Sequence, residues 1–125
     1  MIFDALMPGA RFDLHLHTAR SDGAFPLDEV LARCAAGKLD VVAITDHDLV
    51  PELDSGVQRI GDRDLTVIAG AEVTGQHDGH EFHLLVYFAG EVPDGFRQFC
   101  TEQAQGRAER YAEAVEAFRL ASAQA

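Results

Sequence analysis

The amino-acid sequence predicts an α/β fold. Two features carry that prediction. Short apolar runs of strand length are separated by segments of helical period. Clusters of His, Asp and Glu follow the ends of successive runs, where parallel sheets ordinarily present their chemistry.

The first strand is expected in "FDLHLHTARSDG", residues 12–23, where Phe12, Leu14 and Leu16 alternate with Asp13, His15 and His17. A turn-rich segment from Thr18 to Ala24 follows. Pro26 then opens a helix in which Leu27, Val30, Leu31 and Cys34 form one apolar stripe and Gly37 marks the stop. "LDVVAIT", residues 39–45, is almost continuously apolar, as a strand covered on both faces would be. A short helix is expected over Pro51–Arg59, and another strand, "LTVIAG", from Leu65. "AEVTG" and "EFHLLVYF" flank His77, Asp78 and Gly79, and Asp-Gly favours a tight hairpin turn. Residues 95–120 read as a long helix with Phe96, Phe99, Tyr111, Val115 and Phe118 on its apolar side.

With 125 residues, 47% hydrophobic and 25% charged, the chain has room for one modest globular domain. No run approaches the roughly 18–20 apolar residues of a membrane helix. The N-terminus also lacks a basic start and a long apolar stretch, so a cytoplasmic location is expected. Cys34 and Cys100 form no C-x-x-C pair and are expected as reduced, partly buried thiols. A formal charge of −11 repels long polyanions. Phosphate chemistry on such a chain would need another source of positive charge, and bound metal could supply it.

The spacing of His15 and His17 bears on that point. Residues two apart on a helix point about 200° away from each other. On a strand they share a face with α-carbons roughly 6.5 Å apart, and two imidazoles can then converge on one ion at about 2.0–2.1 Å. An exposed strand face with two histidines would look the same, so H-x-H alone is weak. The expectation of a metal site rests on accumulation: Asp22 in an "SDG" turn, His47 in "TDHD", Glu72 after "IAGA" and His83 in "EFHLLVYF" bring ligand types to separate strand ends. His77 and His80 are expected as surface loop residues and Glu81 as a solvated strand position. Thr18 and Ser21 read as turn-forming hydroxyls. Arg20 is either a surface arginine or a contact for a substrate phosphate.

"HLHTARSDG", "ITDHD", "GAEVTG" and "EFHLLVYF", in this order, resemble the PHP (polymerase and histidinol phosphatase) family of metal-dependent phosphoesterases. The similarity runs from about Arg11 to Phe88. It implies a distorted (β/α)7 barrel whose strand ends hold two or three divalent ions. By that resemblance His15 and His17 would bind a first metal, and Glu72 would bridge the first and second. His83 would belong to the second, while Asp22 and His47 would hold a third. Asp22 and Glu72 would be the carboxylates of the catalytic centre. Asp13 and Asp46 would each fix an imidazole through a hydrogen bond, and Asp48 is open between roles.

Mixed imidazole and carboxylate ligands suit Mn, Zn or Fe better than Mg or Ca. The activity implied is hydrolysis of phosphate esters, those of a nucleotide or short oligonucleotide first, by metal-activated hydroxide. A locally positive pocket in an acidic chain would select small anions or strand ends over long duplexes. Two alternatives stand beside this: a non-catalytic metal-binding half-domain or partner module, and a small-metabolite phosphatase such as a histidinol phosphatase. The family's later histidine near a proline and its Asp-x-His motif have no match after His83. A β/α barrel also needs about 200 residues or more. Residues 1–125 are therefore expected to be the N-terminal portion of a single PHP domain. The barrel would be incomplete in this chain, with the remainder in a missing C-terminal half or a second chain, or the domain would be a reduced one with a different closure.

Overall fold

Pro26 stands at the N-cap of α1 (Leu27–Ala36) and Gly37 at its C-cap, as the sequence pattern requires. Val30, Leu31 and Cys34 of the predicted stripe are buried. These positions come from a computed structural model that describes residues 7–124. Before the helix lies β1 (Phe12–Leu16). After it come β2 (Val41–Ile44), β3 (Gly56–Ile60), β4 (Arg63–His77), β5 (His80–Phe88) and α2 (Asp94–Ala123). The chain divides into two units, Met1–Pro93 and Asp94–Ala125.

The first unit is a mixed sheet in the order β1-β2-β4-β3, with β5 also pairing with β4. β1, β2 and β4 run parallel. β3 pairs antiparallel with the first part of β4, and β5 with the rest. One face is closed by α1 over Val42, Ile44, Leu65 and Val67, with Leu16, Phe25, Leu27 and Ile60 around the cluster. The other face carries Val41, Ala43 and Ile68 with Leu14. It borders an open apolar groove of about 250 Å³ lined in part by Phe12, Leu14, Val41 and Ile68.

Three sequence expectations need correction. The helix expected over Pro51–Arg59 is absent, and most of that stretch's end forms β3. Ser55 is tied across the sheet, donating its hydroxyl to the Phe88 carbonyl and accepting the Ala69 N–H at 2.8 Å. The chain is thus extended as it enters Gly56, and Gly61, at φ 63°, closes a two-residue turn between Ile60 and Arg63. "LTVIAG" and "AEVTG" are not separate strands but one 15-residue strand, β4. Finally, α2 is the expected long helix, but only Phe96 and Phe99 of its apolar side are half-buried, while Tyr111 and Phe118 are 74% and 75% exposed. Within that helix the Phe96 and Phe99 rings stack at 5.9 Å.

The predicted hairpin turn is present, with Asp78 and Gly79 both at positive φ between paired His77 and His80. Cys34 and Cys100 are both buried. Burial pushes the Cys34 thiol above its ordinary pKa, and the Asp13 carboxylate adds to the shift. Because the thiolate is the nucleophile, Cys34 in the folded chain should react with iodoacetamide roughly ten-fold or more slowly than in urea. Peptide mapping of the alkylated protein reads this directly; equal rates would contradict the buried position.

Candidate metal centre

The alternation read from β1 is broken within the strand. Phe12 and Asp13 align with Val41 and Val42, but Leu16 aligns with Ile44, so β1 carries one extra residue between Asp13 and Leu16. As a result Leu14 and Leu16 pack on different core clusters. The strand end is held by Thr45, whose N–H and hydroxyl both donate to the Leu16 carbonyl, at 2.7 and 3.2 Å. His15 and His17 still converge, with ring centroids 5.1 Å apart.

Glu72 is placed from the other side. β4 outruns β2, and the chain after β2 continues along it: the Glu72 N–H donates to the Asp46 carbonyl and the Asp48 N–H to the Glu72 carbonyl, each at 3.1 Å. This isolated parallel bridge sets His47 beside Glu72. Asp48 reinforces it from a left-handed conformation, φ 52°, by accepting the Thr74 N–H at 2.8 Å.

The buried Glu72 carboxylate is the hub. Its Oε2 accepts from His15 Nε2 at 2.9 Å, and its Oε1 from His83 Nδ1 at 3.0 Å. His17 Nε2 lies 2.8 Å from the same Oε2, and His47 Nε2 lies 3.6 Å from it. Asp22 reaches in from its turn, with one oxygen on His17 Nδ1 and the other accepting from His47 Nε2 at 3.0 Å. Burial raises the pKa of Glu72, but hydrogen bonds from His15 and His83 and the charge of His47 outweigh it, leaving the carboxyl below its usual range. Asp22 is also lowered, first by its hydrogen bond with His17. His83 is raised by Glu81, at 3.1 Å from its Nε2, and then by Glu72.

All six predicted ligand residues thus meet at one end of the sheet. They form three overlapping triads, His15–His17–Glu72, His17–Asp22–His47 and His47–Glu72–His83, with the donor atoms of each within 4.8 Å of one another. Neighbouring rings along the arc stay close: His17 to His47 at 4.5 Å and His47 to His83 at 5.4 Å.

One atom tests whether the set fits metal. His17 Nε2 is buried and makes no hydrogen bond, despite its nearness to Glu72. Buried polar atoms are normally satisfied, so a buried imidazole nitrogen that makes no hydrogen bond and lies beside a shared carboxylate oxygen has the placement of a metal ligand. The nitrogen and oxygen donor set also suits Zn, Mn or Fe.

Other sequence readings fare differently. Asp13 accepts from the backbone N–H of His15 at 3.1 Å rather than from an imidazole. Asp46 likewise bonds to Thr18 and Ser21. Arg20 donates to the Val50 carbonyl at 2.8 Å and lies 3.5 Å from Glu52. His77 is a surface residue, at 83% side-chain exposure. The pairing of Glu81 with His83 was missed, although E-F-H has the same two-residue strand spacing that singled out His15 and His17.

The family model "PHP domain" matches residues 13–102. The chain is 29% identical over 102 residues to the 5'-3' exoribonuclease Rnm of Salmonella typhimurium, covering 79% of this chain and 34% of that protein. It is 34% identical over 76 residues to the 3',5'-nucleoside bisphosphate phosphatase of Chromobacterium violaceum, covering 61% of this chain and 27% of that protein. It therefore spans between about a quarter and a third of the length of these curated relatives. Among solved structures, an amidohydrolase from Chromobacterium violaceum with bound sulfate and no metal superposes with a TM-score of 0.66 at 26% identity, over 83% of this chain and 37% of that one. A match spanning most of the chain and containing all six clustered residues settles the kinship, and the chain belongs to the PHP domain family.

Proposed function

We propose that residues 1–125 are the N-terminal, metal-holding portion of a PHP-type phosphoesterase that hydrolyses phosphate esters of a nucleotide or short oligonucleotide. The observation that carries this reading is the set of three triads sharing His17, His47 and Glu72. In this reading His15 and His17 would hold a first ion, His83 a second, and Asp22 with His47 a third, with Glu72 available to the first two. When bound, such ions acidify water for attack and offset the charge that grows on phosphoryl oxygens. The protein's own contribution is placement: β1, β2, β4 and β5, with the segments that follow β1 and β2, present the six residues, and Asp46 and Asp48 hold the connecting segments. Relatives named as an exoribonuclease and a nucleoside bisphosphate phosphatase support phosphate esters as the substrate class, and a neighbour with bound sulfate is consistent with a tetrahedral anion.

The open sheet face supports a further part of the reading. Phe12 is 62% exposed beside the apolar groove, and β1 pairs only with β2 among the described residues. In the proposed (β/α)7 barrel that face would turn inward against strands supplied by additional sequence or a second chain. The same observation favours a second reading, in which this chain binds metal but turns over nothing by itself.

Dialysis against Mn or Zn, metal counting, and assays with bis(p-nitrophenyl) phosphate, p-nitrophenyl phosphate and a 3',5'-bisphosphorylated nucleoside separate the two. Metal uptake with hydrolysis of an ester is expected for the enzyme, whereas uptake without turnover leaves the metal-binding module. No metal uptake by the folded chain would overturn both.

A further inference from the structure

Asp46 is buried, at 4% exposure, and its carboxylate is used on the turn that follows β1. Oδ1 accepts the Thr18 backbone N–H at 2.8 Å and the Ser21 hydroxyl at 2.6 Å, while Oδ2 accepts the Thr18 hydroxyl at 2.8 Å. Thr18, itself 1% exposed, organises the rest. Its carbonyl accepts the N–H groups of Ser21 and Gly23, at 3.1 and 2.9 Å, and its hydroxyl accepts the Arg20 N–H at 3.2 Å. The turn is closed so tightly that a β-carbon on Gly23 would lie 2.4 Å from the His17 carbonyl oxygen.

Asp22 is the exception within this turn. Its side chain is 63% exposed, and its carboxylate meets the imidazoles of His17 and His47. An exposed carboxylate is not fixed by packing, so its position must be inherited from the backbone around it. That backbone is held by charge-assisted bonds to Asp46, which are stronger than neutral ones.

We propose that Asp46 is a positioning residue: it clasps the Thr18–Gly23 turn so that Asp22 stands at the His17–His47 triad before any ion arrives. The proposal rests on the metal-centre reading above only for what Asp22 does there. The Asp46 carboxylate bears directly on the turn that carries Asp22, whereas Glu72, common to the other two triads, is positioned through β4 and the His47–Glu72 bridge.

The test compares the chain with its Asp22→Ala, Asp46→Ala, Asp46→Asn and Asp22→Ala/Asp46→Ala variants, using Mn and Zn equivalents retained after dialysis and backbone amide exchange in the metal-free state. Asp46→Ala is expected to lose the same equivalent as Asp22→Ala, with affinity for it weakened in the roughly 10–100-fold range typical of residues that orient ligands. The double variant should lose no more. Asp46→Asn keeps an acceptor for Thr18 and Ser21 and should retain most of the affinity. In the metal-free state, Asp46→Ala should speed exchange at Thr18 and Gly23 while leaving β4 protected.

Full metal retention by Asp46→Ala when Asp22→Ala loses an equivalent overturns the proposal, as does additive loss in the double variant. If Asp46→Ala does not fold, Ser21→Ala removes one of the clasp's bonds and must weaken the same equivalent, or the proposal fails. If the parent chain takes up no metal, the metal-centre reading is lost, and the exchange data alone decide: faster exchange at Thr18 and Gly23 upholds the clasp, unchanged exchange overturns it.

Discussion

Replacing Glu72 with glutamine is expected to empty most of the metal centre while leaving the fold in place. Glu72 belongs to two of the three triads, and its two oxygens meet His15, His17 and His83. Glutamine keeps the shape but offers one neutral oxygen, and its NH2 group faces an imidazole where a carboxylate had been. In the proposed centre, the ions sharing this residue would lose their common anion. The loss should exceed the roughly 10–100-fold typical of groups outside the ligand shell, so at micromolar metal only the Asp22 triad stays occupied. Any phosphoesterase activity should fall to background. The backbone bonds that bracket residue 72, to Asp46 and Asp48, do not involve its side chain, so the thermal midpoint of the metal-free chain should change little. Metal counting beside a circular-dichroism melt checks both halves; normal metal content in Glu72→Gln would remove Glu72 from its central role.

The parts of this centre that were legible in the sequence are those fixed by local chemistry. Pro26 bounds α1 because its fixed φ suits the entry to a helix, Gly37 stands at the C-cap although the positive φ that follows falls on Lys38, and Asp78-Gly79 makes a turn because both residues tolerate positive φ. The six clustered His, Asp and Glu residues stood out because their types recur after apolar runs. What could not be read depends on partners distant in sequence. Gly56–Ile60 is a strand because Arg63–Val67 pairs with it; Val57 is 61% exposed, so its own apolar pattern gave no reliable phase. The extra residue in β1 is a property of its alignment with β2, and a strict two-residue period across Phe12–Leu16 hides it. Asp46 invites pairing with the adjacent His47, yet its carboxylate meets a turn 25 to 28 positions earlier.

Leu65→Ala should produce the opposite pattern to Glu72→Gln: a large loss of stability with the metal centre retained. Leu65 is fully buried and packs in the cluster of Val30, Leu31, Cys34, Val42, Ile44 and Val67 that joins α1 to the sheet. Truncating a leucine in such a core removes its transfer free energy and leaves a cavity, a combined cost of about 2.7–5 kcal/mol. For a domain of this size that lowers the thermal midpoint by roughly 10 °C or more. Residue 65 lies seven positions before Glu72 on β4, roughly 24 Å along an extended strand, and on the far side of the Asp46–Asp48 bridge. Below the new midpoint the ligand triads should therefore fill as in the parent chain, because their positions are set by the bridge and the Thr18–Gly23 turn. A parallel fall in midpoint and in metal content, measured well inside the folded range, would mean that the sheet end is held by the core and not by the local clasps described here.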